Sequence, residues 1–322
     1  MYTLGVYGKS WYDIDAHKLE NGTRHMKIAT ATYPIDWHES WASYEAKITK
    51  WVADAAQNGA DLLVFPEYGA MELASLAGVD AAADVEQSMC AVNALLPQAN
   101  AVYADLAMQH NVHILGASAP CYDGTDRPSN RAMFFAPNGV QSYQDKQIMT
   151  RFERALMDVK PNGPLTVFDT ALGKIGVIIC YDSEFPDLAR ALIEAGVEIL
   201  LAPSCTSSVA GYWRVRIGAM ARALESQCIV VHSPTTGDAA WNPTVDINIG
   251  AAAIYGPPDM GFPDTGVLAE GVMNEPAWVY ADVSLDAIRA VRADGRVLNM
   301  THWAEQPERV AKVTVAAMQD AT

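Results

Sequence analysis

Three polar side chains end apolar or alternating stretches of the sequence, and together their types could carry out nucleophilic catalysis. Glu67 closes the block DLLVFPE, Lys146 closes VQSYQDK, and Cys180 closes GVIIC. A free thiol has a pKa near about 8.5, so a cysteine nucleophile needs a neighbouring base or cation at neutral pH. A carboxylate and an ammonium group could supply both. Taken singly, each residue is more typical of a buried thiol, a loop carboxylate or a solvated lysine.

The patterns on either side of Glu67 predict a helix, a strand, a second helix and a second strand. Apolar residues recur at helical spacing over residues 39–60. The short apolar block at 61–67 predicts a buried strand that ends at Glu67. A second helix is expected within residues 85–110, followed by a strand at 112–117.

Lys146 and Cys180 belong to two pairs of extended segments. The segments RAMFFA and VQSYQDK flank Pro137-Asn138-Gly139, which predicts an antiparallel hairpin with Lys146 at the end of its second strand. A further pair of strands is predicted at 165–169 and 174–180, so that Cys180 also ends a strand. Because ligands collect at strand ends in sheets covered by helices, the three residues are candidates for one site.

The rest of the chain predicts a single α/β domain over residues 26–322. Helices are expected at 186–195, 211–226 and 284–293, and strands at 197–203, 228–232, 249–254 and 277–282. Hairpins interrupt the alternation, so the sheets should be mixed and covered by helices. Residues 1–25 lack the apolar core of a signal peptide, and we interpret them as a native extension or a vector-derived remnant.

Composition and charge exclude several classes of function. The net charge of -16 and the absence of a Lys/Arg cluster argue against nucleic-acid binding. No window approaches the roughly 18 consecutive apolar residues of a membrane helix. The five cysteines are scattered without a CxxC pair, which favours reduced thiols in the cytoplasm over a disulfide framework or structural zinc. His110 and His113 have HxxH spacing, but His113 lies in a predicted strand, so no metal site is expected.

Three segments in order resemble motifs of the nitrilase superfamily of carbon–nitrogen hydrolases. They are VFPEYGAMEL, YQDKQIMTRFE and GVIICYDSEFPDLARAL. The resemblance continues through ILLAPSC and WRVRIGAMARALESQCIVV, and it runs from about Met26 to about residue 300. It implies a four-layer α-β-β-α sandwich that commonly forms a homodimer or higher homo-oligomer through the helices after the nucleophile. In this chain those helices are the ones predicted at 186–195 and 211–226.

The resemblance also implies a role for each matched residue. Cys180 would be the nucleophile and Glu67 the general base, while Lys146 and the backbone N–H of Tyr181 would stabilise negative charge on the carbonyl oxygen. Many members place a second glutamate between the lysine and the cysteine, and this role is assigned to Glu153. The alternative is that Glu153 is a surface residue. The implied mechanism forms a thioester and needs no metal or organic cofactor.

The residues after Cys180 bear on the substrate. Tyr181-Asp182 is similar to the amidase and carbamoylase branches, which favours a small linear amide over a nitrile. An N-carbamoyl amidohydrolase, less plausibly a nitrilase, and a catalytically silent binding protein are the alternatives. Glu184 stands where omega-amidase-like members carry an arginine. If Glu184 lines the pocket, neutral or amine-bearing amides are expected, whereas a surface ion pair would remove that preference.

Trp213 follows the predicted loop CTSSVAGY and is expected to help wall the substrate pocket together with Arg214. The alternative is that Trp213 packs in the core or at an interface.

Overall fold

The structure, a computed structural model, describes residues 25–316 and residue 318. The strands are β1 (His25–Pro34), β2 (Leu62–Val64), β3 (His113–Leu115), β4 (Ala119–Cys121), β5 (Ser129–Phe135), β6 (Gln141–Asp145), β7 (Val167–Thr170), β8 (Gly173–Val177), β9 (Ile199–Ser204), β10 (Ile229–Asp238), β11 (Ile247–Asn248), β12 (Ala253–Tyr255), β13 (Val267–Glu270) and β14 (Ala277–Ser284). The α-helices are α1 (Trp41–Gln57), α2 (Val79–Ala82), α3 (Val85–His110), α4 (Pro186–Glu194), α5 (Val209–Ser226), α6 (Leu285–Asp294), α7 (Asn299–His302) and α8 (Gln306–Val310). Short 3-10 or π-helices cover Gly69–Ala77, Glu153–Met157, Cys180–Glu184 and Trp303–Glu305.

The strands form two mixed sheets that meet at one edge. In the first sheet the order is β6-β5-β3-β2-β1-β14, with β4 also paired to β5. In the second sheet the order is β7-β8-β9-β10-β12-β13. The ends of β1 and β10 join the two sheets through the parallel pair Tyr33 and Thr235. The predicted mixture of parallel and antiparallel strands is therefore confirmed.

Buried apolar residues fill three layers between the sheets and helices. Leu201 and Val231 point from the second sheet into the space between the sheets. Their neighbours Leu200 and Val230 point the other way, into a core that α4 and α5 cover. The outer face of the first sheet packs against α1 and α3. Because adjacent residues of a strand face opposite sides, each sheet has two buried faces, and the result is the expected four-layer α-β-β-α sandwich.

Two serine caps set the beginnings of the helices that matter for the site. The Ser40 hydroxyl accepts a hydrogen bond from the Ser43 N–H at the start of α1. At α5 the Ser208 hydroxyl accepts from the Gly211 N–H, so the helix begins at Val209 and not at residue 211 as predicted. A capping hydroxyl satisfies a backbone N–H that the helix itself leaves unpaired.

Three predicted strands end before the polar residue that was expected to close them. The first ends at Val64, and the hairpin strand ends at Asp145. The third ends at Val177, because Cys180 has a backbone φ of 51° and begins a short 3-10 helix. A left-handed residue cannot continue a strand. The three polar side chains therefore lie on the loops just beyond the sheets.

Two later predictions also needed correction. The strand expected to end at His232 continues to Asp238, because its second half pairs with β1 and β11. In place of the single strand expected at 249–254 there are two short strands, β11 and β12, separated by residues 249–252. An added Cβ at Gly250 would lie 2.4 Å from the Pro234 side chain, so the chain passes too close to β10 for an ordinary strand residue.

The extension predicted at residues 1–25 lies outside the described residues except for His25, which begins β1. Within residues 25–316, no helix combines enough length and enough apolar character to cross a membrane.

Candidate active site

Cys180 lies at the turn between β8 and the short helix Cys180–Glu184. Its side chain is buried, and the thiol points toward the backbone carbonyl of Cys205, with Sγ 3.9 Å from that oxygen. The positive φ of 51° is unusual for a residue with a side chain. Such strained conformations cluster at functional sites, where the surrounding structure holds them in place.

Glu67 lies on the loop after β2 next to the Cys180 thiol, and its carboxylate accepts three hydrogen bonds. Its Oε1 accepts from Lys146 Nζ at 2.7 Å and from Asn130 Nδ2 at 2.9 Å. Its Oε2 accepts from the backbone N–H of Cys205 at 2.8 Å. The carboxylate also interacts with the Cys180 thiol. With only 1% of its surface exposed, Glu67 is held beside Cys180, where a carboxylate can accept a proton from the thiol.

Lys146 connects two buried carboxylates. Its Nζ lies 2.7 Å from Glu67 Oε1 and 2.7 Å from Glu153 Oε2. Glu153 begins the π-helix and also accepts from the Thr150 N–H and from the Tyr68 hydroxyl. Its side chain is 3% exposed, so the alternative that it is a surface residue is wrong. The ammonium group is thus held by two carboxylates at a defined position beside the thiol.

Burial and charge set different protonation states for these groups. Burial, together with the negative charge of Glu153, raises the pKa of Glu67 to about 7 despite the attraction of Lys146. Burial opposes ionisation of Glu153 as well, but the ammonium of Lys146 outweighs it and holds the Glu153 pKa below its ordinary value. Burial and the nearby Glu67 carboxylate raise the pKa of the Cys180 thiol. At neutral pH the resting site therefore holds a thiol and an ionised Glu153, while Glu67 can change its protonation state near neutral pH.

A small cavity of about 200 Å³ opens beside these four residues. The other residues that line it come from five parts of the chain: Tyr68 after β2, the segment 150–153, the turn after Cys180, the segment 205–215 with the start of α5, and the loop at 244–247. They are Tyr68, Thr150, Phe152, Tyr181, Glu184, Cys205, Thr206, Ser207, Ser208, Gly211, Arg214, Val215, Thr244, Val245, Asp246 and Ile247. Typical pockets for drug-sized ligands have roughly 300–1,000 Å³, so this cavity suits a smaller molecule.

A family model described as Carbon-nitrogen hydrolase matches residues 27–293. The chain belongs to this family. The match spans both sheets and every residue of the candidate site. The sequence resemblance to the nitrilase superfamily is confirmed.

Curated relatives of this chain include a probable bacterial hydrolase and several amidases. A probable hydrolase of Bacillus subtilis (strain 168), YhcX, is 30% identical over 275 residues, which cover 84% of this chain and 52% of that protein. The deaminated glutathione amidase of Bos taurus is 50% identical over 70 residues, which cover 21% of each protein. The chain thus spans about half of the first relative and about a fifth of the second.

Solved structures share the fold. Nit3 of Saccharomyces cerevisiae, a member of branch 10 of the nitrilase superfamily, superposes with a TM-score of 0.64 at 19% identity, covering 84% of this chain and 93% of Nit3. A double mutant of the amidase from Nesterenkonia sp. AN1, in complex with acrylamide, gives a TM-score of 0.63 at 20% identity. It covers 89% of this chain and 97% of the amidase. At these identities the likeness establishes the fold alone.

The structure places two of the three residues predicted to bind substrate on the cavity wall. Tyr181 and Glu184 line the cavity, and Glu184 also accepts a hydrogen bond from Arg214 Nε at 3.3 Å. Glu184 therefore lines the cavity and is also ion-paired with Arg214. Arg214 lines the cavity as expected.

Trp213 does not line this cavity. Its ring packs against Tyr212 and lies under the Arg216 guanidinium, with 46% of the residue exposed. The reason is helical rotation, since Gly211, Arg214 and Val215 share the face of α5 that meets the cavity, and Trp213 lies on a different face.

Two hydrogen-bond donors to Glu67 were not predicted from the sequence, because one is a neutral side chain and the other is a backbone N–H. Asn130, the second residue of β5, donates to Glu67 and, at 3.5 Å, to Glu153. Cys205 contributes its backbone N–H, which any non-proline residue could supply. Neither contact leaves a signature in the sequence, because both depend on how distant segments meet.

Asp182 joins the turn of Cys180 to the segment that carries Lys146. Its carboxylate accepts from the backbone N–H groups of Gln147 at 3.2 Å, Ile148 at 2.8 Å and Ile179 at 3.1 Å. Burial raises the Asp182 pKa to about 6. A single side chain therefore fixes the distance between the turn of Cys180 and the loop that follows Lys146.

Replacing Asp182 with asparagine is expected to destabilise the fold by about 1–3 kcal/mol, because one accepting oxygen becomes an amide that faces a backbone N–H. Turnover should fall as well, because Lys146 and Cys180 lose their common support. Urea denaturation and ammonia release from an amide substrate measure the two effects. Asp187→Asn, an exposed change of the same kind on α4, is the control. Unchanged stability of Asp182→Asn would contradict the structural role.

Helix α5 supports the same turn from the other side. An added Cβ at Gly218 would lie 2.8 Å from the Ser183 carbonyl oxygen, so only glycine allows this close approach. The Arg222 guanidinium donates to the same oxygen at 3.1 Å. The turn of Cys180 is therefore held by the hydrogen bonds of its own Asp182 and by the contacts of Gly218 and Arg222 on α5.

Proposed function

We propose that the protein hydrolyses the carbon–nitrogen bond of a small linear amide to a carboxylic acid and ammonia, with Cys180 as the nucleophile. The observation that carries the proposal is the convergence of Glu67 and Lys146 on the Cys180 thiol beside a small cavity. The amidases among the relatives and among the solved structures support an amide as the substrate.

In the first half of the reaction the thiol attacks the carbonyl carbon of the amide. The S–H proton passes to the ionised Glu67 as the S–C bond forms, and the electrons of the carbonyl double bond move to oxygen. The ammonium of Lys146 and the N–H of Tyr181 stabilise this negative charge, which develops only in the tetrahedral species. Glu67 then gives its proton to the nitrogen, the C–N bond breaks, and ammonia leaves a thioester on Cys180.

In the second half water releases the acid. Glu67, ionised again, takes a proton from water as the oxygen attacks the thioester carbon. The C–S bond breaks, and the proton returns from Glu67 to the sulfur. A base that accepts and returns protons works best when its pKa lies near the working pH, and about 7 for Glu67 meets that condition. Glu153 keeps Lys146 charged and in position through both halves.

Ammonia release and intact-mass measurement test this function. The parent protein incubated with a panel of short amides and one nitrile should release ammonia and show a mass increase of one acyl group when the thioester accumulates. Cys180→Ala should show neither, because it lacks the attacking sulfur. Cys90→Ala removes an exposed thiol outside the cavity and serves as the control. Ammonia release that survives in Cys180→Ala would disprove the thiol mechanism.

We also propose that two copies of the chain associate through α5. The helix leaves Val209, Trp213, Ile217 and Leu224 exposed along one side, at the three- and four-residue spacing of a helix stripe. Helix α4 is less available, because Arg190 on it stacks on Trp303 of the C-terminal segment. An apolar stripe on one helix can pack against the same stripe of a second copy related by a twofold axis.

Ile217→Glu is expected to convert such a dimer to monomers, because a twofold axis buries the introduced charge twice. Sedimentation velocity across a range of protein concentrations measures the change. Val272→Glu, at an equally exposed apolar residue away from α5, is the control. A parent protein that sediments as a monomer at all concentrations would contradict the proposal.

A further inference from the structure

The exposed part of the cavity wall carries an excess of negative charge. Two carboxylates, Glu184 and Asp246, and one guanidinium, Arg214, line it. Glu184 and Arg214 form an ion pair through a single contact of 3.3 Å. The Asp246 carboxylate accepts a hydrogen bond only from the N–H of the next residue, Ile247, so no cation among the described residues offsets its charge. The three groups together have one net negative charge.

Aromatic rings lie on the same wall. Phe152 and Tyr181 line the cavity, and 48% of Phe152 is exposed. The face of an aromatic ring attracts a cation, and the attraction strengthens where water is partly excluded. Carboxylates and aromatic faces together are the surroundings that bind an ammonium group.

An anionic ligand would find no free cation in this cavity. The Lys146 ammonium is already held by Glu67 and Glu153 at 2.7 Å from each. The Arg214 guanidinium lies beside Glu184, whose charge opposes the approach of a second carboxylate. The net charge of -16 on the whole chain further favours the approach of cations over anions.

Resting on the proposed amidase function, we propose that the substrate is a short linear amide whose far end carries an ammonium group, bound at the cavity mouth by Glu184 and Asp246. The amide end then lies at Cys180 and the ammonium end at the aromatic and acidic wall. The small volume of the cavity, about 200 Å³, limits the chain between the two ends to a few methylene groups.

Three amides with the same five-carbon chain test the proposal: valeramide, δ-aminovaleramide and the monoamide of glutaric acid. Their far ends are neutral, positive and negative. We expect kcat/KM to be at least about tenfold higher for δ-aminovaleramide than for valeramide and lowest for the glutaric monoamide, with most of the difference in KM. Added sodium chloride should reduce the preference, because salt screens exposed charges.

Variants that each remove one charge show which residues cause the preference for the positively charged amide. Glu184→Gln and Asp246→Asn should each lower the ratio of kcat/KM for δ-aminovaleramide to that for valeramide by about three- to tenfold. Asp264→Asn removes an exposed charge outside the cavity and should leave the ratio as it is in the parent. Equal kcat/KM values for the neutral and positive amides, or a preference for the negative one, would overturn the proposal.

Failure of the amidase function gives a different result from failure of this proposal. If none of the three amides releases ammonia, the proposed hydrolysis of these amides is wrong. The charge preference of the cavity is then measured by ligand binding instead of by turnover. Calorimetry with Cys180→Ala then compares δ-aminovalerate, valerate and glutarate, the corresponding acids. Tightest binding of δ-aminovalerate supports the acidic wall as an ammonium site. Binding of none of them, or tighter binding of glutarate, overturns it.

Discussion

Replacing Glu67 with glutamine should lower kcat/KM by about 10²- to 10⁴-fold, the range that general acid–base catalysis contributes. Glutamine has nearly the same shape but cannot take the thiol proton. Its amide nitrogen would also face donors, because Lys146, Asn130 and the Cys205 N–H all donate to the carboxylate. The loss should therefore exceed that of a proton acceptor alone.

The pH dependence of kcat/KM, measured for the parent and for Glu67→Gln, tests directly whether Glu67 is the base. The base acts only when it is ionised, so kcat/KM of the parent should rise as pH increases through about 7, the pKa that burial gives to Glu67. This rise should disappear from the residual activity of Glu67→Gln. Glu308→Gln, the same change on an exposed residue, is the control. A parent profile that is flat between about pH 6 and 8 would contradict the assignment of Glu67 as the base.

Much of the layered fold could be predicted from local sequence, because local signals set many of its boundaries. Apolar residues at helical spacing, with Ser40 before them, define α1, and the predicted hairpin around Pro137-Asn138-Gly139 forms β5 and β6. The end of β8 could not be predicted in the same way. GVIIC reads as a continuous strand, but the strand ends at Val177, because Cys180 adopts a positive φ and Asp182 folds back to accept the Ile179 N–H.

The candidate site was predictable where its chemistry rests on ionisable side chains. Glu67, Lys146 and Cys180 close apolar or alternating segments, the family resemblance adds Glu153, and the structure brings all four together. The orientation of Trp213 depends on the rotation of α5 against the turn at Ser183, which a sequence alone does not define.

Removing the Lys146 ammonium should have the second large effect, on both turnover and stability. In Lys146→Met the carboxylates of Glu67 and Glu153 remain buried without a cation, and breaking a buried ion pair in this way costs about 3–5 kcal/mol. Turnover should fall by about 10²- to 10³-fold, because the negative charge on the substrate oxygen loses a preformed partner. Urea denaturation and ammonia release measure the two losses. Lys50→Met, at an exposed lysine of α1, is the control.

The pH dependence of stability separates charge from packing in Lys146→Met. Without the ammonium, the folded-state pKa values of both carboxyl groups should lie above their unfolded values, since Lys146 lowers both in the parent. A raised carboxyl pKa makes the folded state less stable above that pKa and relieves the loss as pH falls through it. The destabilisation should therefore be larger at pH 8 than at pH 5. A loss that is equal at both values would indicate a packing defect.

A second substitution distinguishes a structural role of Lys146 from a catalytic one. In the double variant Lys146→Met/Glu153→Gln only one buried carboxyl group remains, and Glu67 can take a proton and stay neutral. Stability should recover by more than half of the loss in Lys146→Met, because the repulsion between two buried carboxylates is gone. Turnover should not recover, because nothing in the double variant replaces the ammonium beside the reacting carbonyl. Recovery of both together would mean that Lys146 only balances charge in the core, and the second donor for the substrate oxygen would then have to come from the backbone of the Cys180 turn.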